Sequence, residues 1–204
     1  IARKLAERLG LVMVNSGAMY RAVTWKALQE NVDPQDADAI REMLGRIDID
    51  CGENGVTSTC TIDGVDPGDA LRGEEINSNV SAISAIPAVR SLLVQLQRNY
   101  LNHTSIVMEG RDIGSVVFPE TPYKIYVDAA EEVRAARRIA AGEVDSIAKR
   151  DAADSKRTTA PLMVAEGATV LDTSFLNIEG AVDAAIAILK QQGLPKLDNS
   201  QTTI

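Results

Sequence analysis

The chain has 204 residues, 45% hydrophobic and 25% charged, which excludes general disorder and fits one globular domain, with or without an insertion. Its net charge of −8 and its seven aromatic residues exclude an extended basic or stacking surface for nucleic acids. No apolar run approaches the roughly 18 residues that span a bilayer, and two cysteines make no disulfide framework. We therefore expect a soluble, cytoplasmic protein in which Cys51 and Cys60 are reduced and can face each other across a hairpin.

Along the chain, helical and strand patterns alternate. Ile1, Leu5 and Leu9 recur at helical spacing, which predicts an amphipathic helix that ends at Gly10. Buried parallel strands are predicted from four short apolar runs, at 11–14, 105–108, 124–127 and 168–171. Further helices are predicted at 19–29, 88–101, 129–141, 147–156 and 178–190. The alternation indicates an α/β fold, a parallel sheet with helices on both faces.

Residues 35–85 interrupt this alternation. An antiparallel hairpin is predicted from two strand-like segments, 47–51 and 56–62, and the glycine-rich turn between them at 52–55. We interpret 35–85 as an inserted subdomain in a core formed by 1–34 and 86–190, because long insertions in loops commonly serve binding. The polar residues 194–204 are predicted to form a frayed tail.

Polar residues follow the predicted strands, where ligands bind in open α/β sheets. They are Asn15, Ser16, Glu109, Arg111, Asp112, Asp128 and Asp172. Glu109, at the end of an apolar strand, matches a carboxylate that orients water on Mg²⁺. An acid that simply ends a buried strand is the alternative interpretation.

Arginines suggest what this edge of the sheet binds. Residues 134–157 contain seven basic and four acidic side chains in an otherwise acidic chain. Guanidinium groups match phosphate oxygens with paired donors, although a solvated helix face with ion pairs would show the same pattern. Together with Arg21, Arg90 and Arg111, the cluster predicts positive charge around a transferring phosphoryl group.

Three motifs occur in order, at 15–21, at 109–119 and at 150–157, the last followed by Ala-Pro-Leu at 160–162. In these motifs the chain resembles the bacterial cytidylate kinases. The resemblance extends from residue 1 to about 190. It implies a P-loop nucleoside-monophosphate kinase with a five-stranded parallel sheet, a monophosphate-binding insert at 35–85 and a lid at 134–157. The implied reaction transfers the γ-phosphoryl group of ATP to CMP or dCMP in pyrimidine nucleotide metabolism.

The resemblance also implies roles for individual residues. Ser16, Arg21 and Arg111 would hold the acceptor phosphate, and Ser81, Arg90 and Asp112 would recognise cytosine. Asp154 would accept a hydrogen bond from the ribose hydroxyl, while Arg150 and Arg157 would contact phosphates or the base side. Arg137 and Arg138 would close on ATP, and Glu109 would hold Mg²⁺ through water. The implied catalytic residues are Arg111, Arg150, Arg157 and Glu109.

The sequence departs from the family at three points. Glu109 replaces the usual aspartate and Asn15 loses a charge, and no G-x-x-x-x-G-K-[ST] loop occurs in the 204 residues. We expect that loop upstream of Ile1. Two alternatives therefore stay open: an inactive nucleotide-binding module, and a P-loop kinase for another small acceptor. The expected partners are CMP, dCMP and ATP, with neither nucleic acid nor membrane, and the expected state is a monomer.

Overall fold

The computed structural model describes residues 1–140 and 162–195. The strands in these ranges are β1 Val12–Asn15, β2 Ile49–Asn54, β3 Thr57–Ile62, β4 Ile106–Glu109, β5 Ile125–Asp128 and β6 Thr169–Asp172. The α-helices are α1 Ala2–Leu9, α2 Ser16–Gln29, α3 Ala37–Leu44, α4 Glu74–Ala85, α5 Pro87–Asn99, α6 Glu131–Ala140 and α7 Ile178–Gln191. Short 3-10 turns cover Gly68–Arg72 and Tyr100–Asn102, and a π-helical turn covers Ile113–Val117. The predicted α/β class is confirmed.

The six strands form two sheets. One has the order β2-β3-β1-β4, with β1 parallel to both β3 and β4 and the hairpin β2-β3 antiparallel. The other contains β5 and β6 in parallel. All four predicted core strands are present and pair in parallel, as expected, but the described residues do not form a single parallel sheet. Among the described strands, β4 and β5 each have a partner on one side only.

The expectation that all four core strands are buried is wrong for the second sheet and is met only in part by β4, in which Ile106, Val107 and Met108 are half-buried. Val12 and Val14 of β1 are buried, whereas Val127 and Val170 are 47% and 53% exposed. In β6 only Leu171 is buried, in a cluster with α1 and α7. A two-stranded sheet covered on one face leaves alternate side chains at the surface, because successive side chains point to opposite faces.

The hairpin is confirmed, but its turn lies further along than predicted. Asn54 pairs with Thr57, so the connecting residues are Gly55 and Val56 rather than the segment 52–55. Gly55 has a φ of +63°, which glycine adopts without a steric penalty. The hairpin extends the sheet of β1 through the pairing of Met13 with Thr57.

Most predicted helices are present, and two helices in the insert were missed. Gly10 ends α1 in the left-handed conformation, as predicted. The missed helices are α3, capped by the Asp36 carboxylate, and α4, which packs against α2 and α5. The predicted helix at 147–156 lies outside the described residues.

The main core lies between α2, α4, α5 and the hairpin. Met19 and Val23 of α2, Ile83 of α4 and Leu93 of α5 are almost fully buried there. This packing fixes the N-terminus of α2 beside the end of β4. Within the described ranges no single helix is long and apolar enough to cross a membrane. One pair of consecutive helical segments, Glu74–Ala85 and Pro87–Asn102, has the required length and hydropathy when taken together, but it is bent by 94°.

Candidate functional site

A pocket of about 300 Å³ opens at the carboxyl ends of β1 and β4. Asn15 and Glu109, the last residues of these two strands, are paired in the parallel ladder. Seven of the predicted site residues line the pocket: Ser16, Arg21, Ser81, Arg90, Glu109, Arg111 and Asp112. They come from α2, α4, α5, β4 and the loop after β4. A depression at the start of α3, lined by exposed charged side chains, contains none of the predicted residues.

The N-terminus of α2 forms one wall of the pocket. The Asn15 side chain caps this helix, because its Oδ1 accepts a hydrogen bond from the Ala18 backbone amide at 3.0 Å. An aspartate at this position would cap the helix in the same way. The buried Ser16 hydroxyl donates to the Glu109 carbonyl at 2.9 Å. This bond fixes the first turn of α2 to the end of β4, and the partial positive charge of the helix end faces the pocket.

A buried ion pair also lines the pocket. Arg90 and Asp112 are only 5% and 8% exposed, and Nη2 of Arg90 donates to Oδ2 of Asp112. Nη1 of Arg90 donates to the Ser84 carbonyl at 3.2 Å. Opposite charges that are buried together must remain paired, because an isolated buried charge is very unfavourable. The pair therefore presents one cation and one anion in a fixed arrangement.

Arg21 connects the pocket to the insert. Its Nη1 donates to the Leu71 carbonyl at 2.9 Å and to Oδ1 of Asn77 at 2.6 Å. Asn77 in turn donates to the Arg72 carbonyl. An arginine expected from sequence to hold phosphate thus also fixes the position of α4 relative to α2.

Glu109 is the acid at the end of β4. Its side chain is exposed in part, yet the surrounding protein removes enough hydration to raise the pKa of its carboxyl. Among the described residues no group of three or more His, Cys, Asp or Glu side chains could hold a metal ion by itself. Glu109 could therefore contribute to a metal site only together with ligands from a bound molecule.

The remaining predicted residues do not lie in this pocket or cannot be described. Arg137 is held at the β6–α7 loop, where its guanidinium donates to Oγ1 and the carbonyl of Thr173 and to the carbonyl of Leu176. The Arg138 side chain is outside the described part of the structure, as are Arg150, Asp154 and Arg157. Their roles stay predictions.

Comparison with known proteins decides the family. The sequence profile described as cytidylate kinase matches residues 1–191. The chain belongs to the cytidylate kinase family.

Individual relatives agree with this assignment. The chain is 37% identical over 206 residues to a cytidylate kinase of Streptomyces avermitilis, covering 96% of this chain and 88% of the relative. It is 36% identical over 202 residues to one of Clostridium botulinum strain Loch Maree, covering 94% and 91%. A cytidylate kinase of Caldanaerobacter subterraneus is 38% identical over 202 residues, covering 94% and 88%.

Family membership confirms the activity predicted from the three motifs. A cytidylate kinase is an ATP-dependent nucleoside-monophosphate kinase that phosphorylates CMP and dCMP. The chain is thus a transferase that binds nucleotides.

Sequence reasoning missed two contributors to the kinase's pocket. The Tyr20 ring faces the guanidinium of Arg90, with its centroid 5.7 Å from Cζ, a cation–π contact on a buried arginine. Ser84 supplies the carbonyl that accepts from Arg90. Tyr20 lies inside the first motif, so its aromatic ring among small and polar residues was an available signal. Ser84 gave no such signal, because it contacts Arg90 through its backbone carbonyl.

Gly110 gives a test of how tightly the pocket is packed. A Cβ atom at this position would lie 2.1 Å from Ser16 Oγ and 2.9 Å from Ile113 Cδ1. In Gly110→Ala the Ser16 hydroxyl must therefore turn away from the Glu109 carbonyl. Since the resemblance predicts that Ser16 holds the acceptor phosphate, we expect the KM for CMP to rise about tenfold, the effect of losing roughly one hydrogen bond.

Gly114→Ala is the matched control for steady-state kinetics. Its added Cβ would lie 3.2 Å from Lys124 Cδ and 3.3 Å from Ala165 Cβ, a milder crowding by two residues that do not line the pocket. We expect its KM to stay near that of the unaltered enzyme. A Gly110→Ala enzyme with unchanged KM would show that Ser16 does not contact the acceptor.

Proposed function

We propose that the pocket between α2, α4, α5 and the β4 loop is the CMP site of this kinase. The carrying observation is that side chains from five separate elements converge on one pocket, which is lined both by Arg21 and Arg111 and by the Arg90–Asp112 ion pair. Its volume of about 300 Å³ is at the lower end of the range for small-molecule sites.

The phosphate of CMP is proposed to bind to Ser16, Arg21 and Arg111. All three line the pocket, into which the N-terminus of α2 also opens. Guanidinium donors and a helix N-terminus both favour phosphate oxygens. In phosphoryl transfer, charge spreads over the oxygens of the transferred group, so these same cations also lower the barrier.

The cytosine is proposed to bind at the buried ion pair. Its O2 and N3 atoms accept hydrogen bonds, which Arg90 and Ser81 can donate, and its exocyclic amine donates to Asp112. Uracil would turn a carbonyl toward the same carboxylate, and two acceptors facing each other leave both unsatisfied. The ion pair thereby explains a preference for CMP over UMP.

The insert and the arginine-rich segment complete the proposal. Residues 35–85 would cover the acceptor, and 134–157 would close as a lid, excluding water that would otherwise hydrolyse ATP. Arg137, Arg138, Arg150 and Arg157 would contact phosphates, and Asp154 would accept from the ribose hydroxyl. We further propose the P-loop arrangement of a parallel sheet with helices on both faces, and a monomeric enzyme.

The residues present fit a magnesium ion that is held mainly by nucleotide phosphates. Mg²⁺ is commonly bound through one or two carboxylates together with substrate phosphates and water. Glu109 would supply the carboxylate. When bound, the ion neutralises phosphate charge, whereas Arg21 and Arg111 position the acceptor.

Substrate selectivity tests the proposal. The complete protein is assayed for ADP release with CMP, dCMP, UMP and AMP, in the presence of ATP and Mg²⁺. We expect kcat/KM for CMP and dCMP to exceed the values for UMP and AMP by about tenfold or more, because a mismatched buried polar group costs at least that much. Equal or better use of UMP or AMP would contradict the cytosine assignment. Binding of CMP and ATP without ADP release would indicate an inactive binding module.

A further inference from the structure

The two cysteines of the chain face each other in the hairpin. Cys51 pairs with Cys60 in the antiparallel ladder, and both are free thiols. The two-residue turn makes Asn54–Thr57 a hydrogen-bonded pair, and such pairs alternate along the ladder with non-hydrogen-bonded ones. Cys51 and Cys60, three pairs further along, therefore form a non-hydrogen-bonded pair, the type in which facing side chains are closest.

The surroundings of the thiols hold them together but leave them partly accessible. Both side chains are half-buried against the main core, on the strand face that also carries Ile49 and Ile62. The facing Cys60 thiol lowers the pKa of Cys51. A small oxidant can reach the pair, and Cys51 is the more nucleophilic partner.

The backbone spacing already suits a covalent bond. Opposite residues of a non-hydrogen-bonded pair have Cα atoms about 4.5 Å apart, within the roughly 4.4–6.8 Å range of disulfides. We propose that Cys51 and Cys60 are a site of reversible oxidation, at which a peroxide converts the facing thiols into a cross-strand disulfide. Neither cysteine lines the CMP pocket, so this proposal does not depend on the proposed function.

The chemistry balances with hydrogen peroxide as the oxidant. The Cys51 thiolate attacks one peroxide oxygen, the O–O bond breaks, and the products are a sulfenic acid and water. The Cys60 sulfur then attacks the Cys51 sulfur and expels the second water as the S–S bond forms. Each sulfur loses one electron and one proton, and the peroxide is reduced to two water molecules.

The position of the pair indicates what the cross-link does. Tyr100 fixes the adjacent rung of the hairpin, since its hydroxyl donates to the carbonyls of Gly52 and Thr59 at 3.1 and 3.3 Å. Burial raises the pKa of this hydroxyl, so it remains a donor. A disulfide beside this anchor closes a loop of about ten residues in the unfolded chain and stabilises the hairpin.

The test treats the full chain with hydrogen peroxide and maps the tryptic peptide 47–72, which contains both cysteines. We expect this peptide to lose two hydrogen atoms and to regain them with dithiothreitol. The unfolding midpoint should rise by about 5 °C on oxidation, as expected for a short closed loop in a protein of this size. Turnover of CMP should change less than about twofold, because the pair lies outside the pocket.

The double variant Cys60→Ser/Thr61→Cys is the matched control. It keeps two cysteines but moves one to the opposite face of β3, opposite Asp50. We expect no intramolecular disulfide and no thermal stabilisation in the control, with a normal melting curve before oxidation to show that it folds. Sulfinic acid or intermolecular dimers in the unaltered protein, or a disulfide formed equally fast in the control, would overturn the proposal.

Discussion

Replacing Arg111 by alanine is expected to lower kcat/KM for CMP by about a thousandfold, the scale on which an arginine at a transferring phosphoryl group contributes. Arg111 follows β4 by two residues and lines the pocket. Its side chain is half-buried, so its charge acts in a medium less polar than water. Steady-state kinetics with ADP detection give the measurement.

Two further variants show whether a loss of activity in Arg111→Ala comes from the lost guanidinium. Arg111→Lys keeps the charge but loses the paired donors, and we expect it to recover only part of the lost activity. Arg41→Ala removes an arginine from the surface of α3, where its side chain is 67% exposed, and should leave kcat/KM unchanged. An Arg111→Ala enzyme as active as Arg41→Ala would remove Arg111 from the phosphate site.

Asp112→Ala is expected to lower the free energy of unfolding by about 3–5 kcal/mol, because it leaves the buried Arg90 without its counterion. Arg90 is only 5% exposed, so water would stabilise its unpaired charge less well than the carboxylate does. The same change should reduce the preference for CMP over UMP by about tenfold, since Asp112 is the proposed acceptor for the cytosine amine. Denaturant unfolding and paired kinetics measure the two effects.

Controls separate the structural and the recognition roles of Asp112. Asp38→Ala breaks an exposed pair with Arg41 and should cost less than about 1 kcal/mol. The double variant Arg90→Met/Asp112→Leu removes both charges and should recover much of the stability, but not the selectivity. If that variant still preferred CMP over UMP as the unaltered enzyme does, the ion pair would not recognise the base.

The sequence predicted which polar residues meet at one edge better than it predicted the sheet itself. Polar residues at the ends of parallel strands must meet at one edge, and for this reason the residue pattern alone was enough to place Ser16 and Glu109 together. The exposure of Val127 and Val170 could not be predicted in the same way. An apolar run does not show how many strands flank it, so only the structure reveals that these two side chains are exposed.

Helix α4 shows another limit of sequence reasoning. It contains Asn77, Asn79 and Ser81, which have low helix propensity, and no side-chain cap precedes it. The helix exists because Ile76, Val80 and Ile83 are buried in the main core or beside it. Tertiary packing of this kind overrides local preference, and that packing places Ser81 at the pocket.

The Arg21 contacts would couple the two ends of the CMP site proposed above. The Arg21 guanidinium lines the pocket while it donates hydrogen bonds to Leu71 and Asn77, and α4 carries both Asn77 and the pocket-lining Ser81. In the proposed complex, a shift of Arg21 toward the phosphate would move the helix that contacts the base. The affinities for the phosphate and the nucleobase would then be thermodynamically linked, and neither fragment alone would bind as strongly as its share of the whole nucleotide.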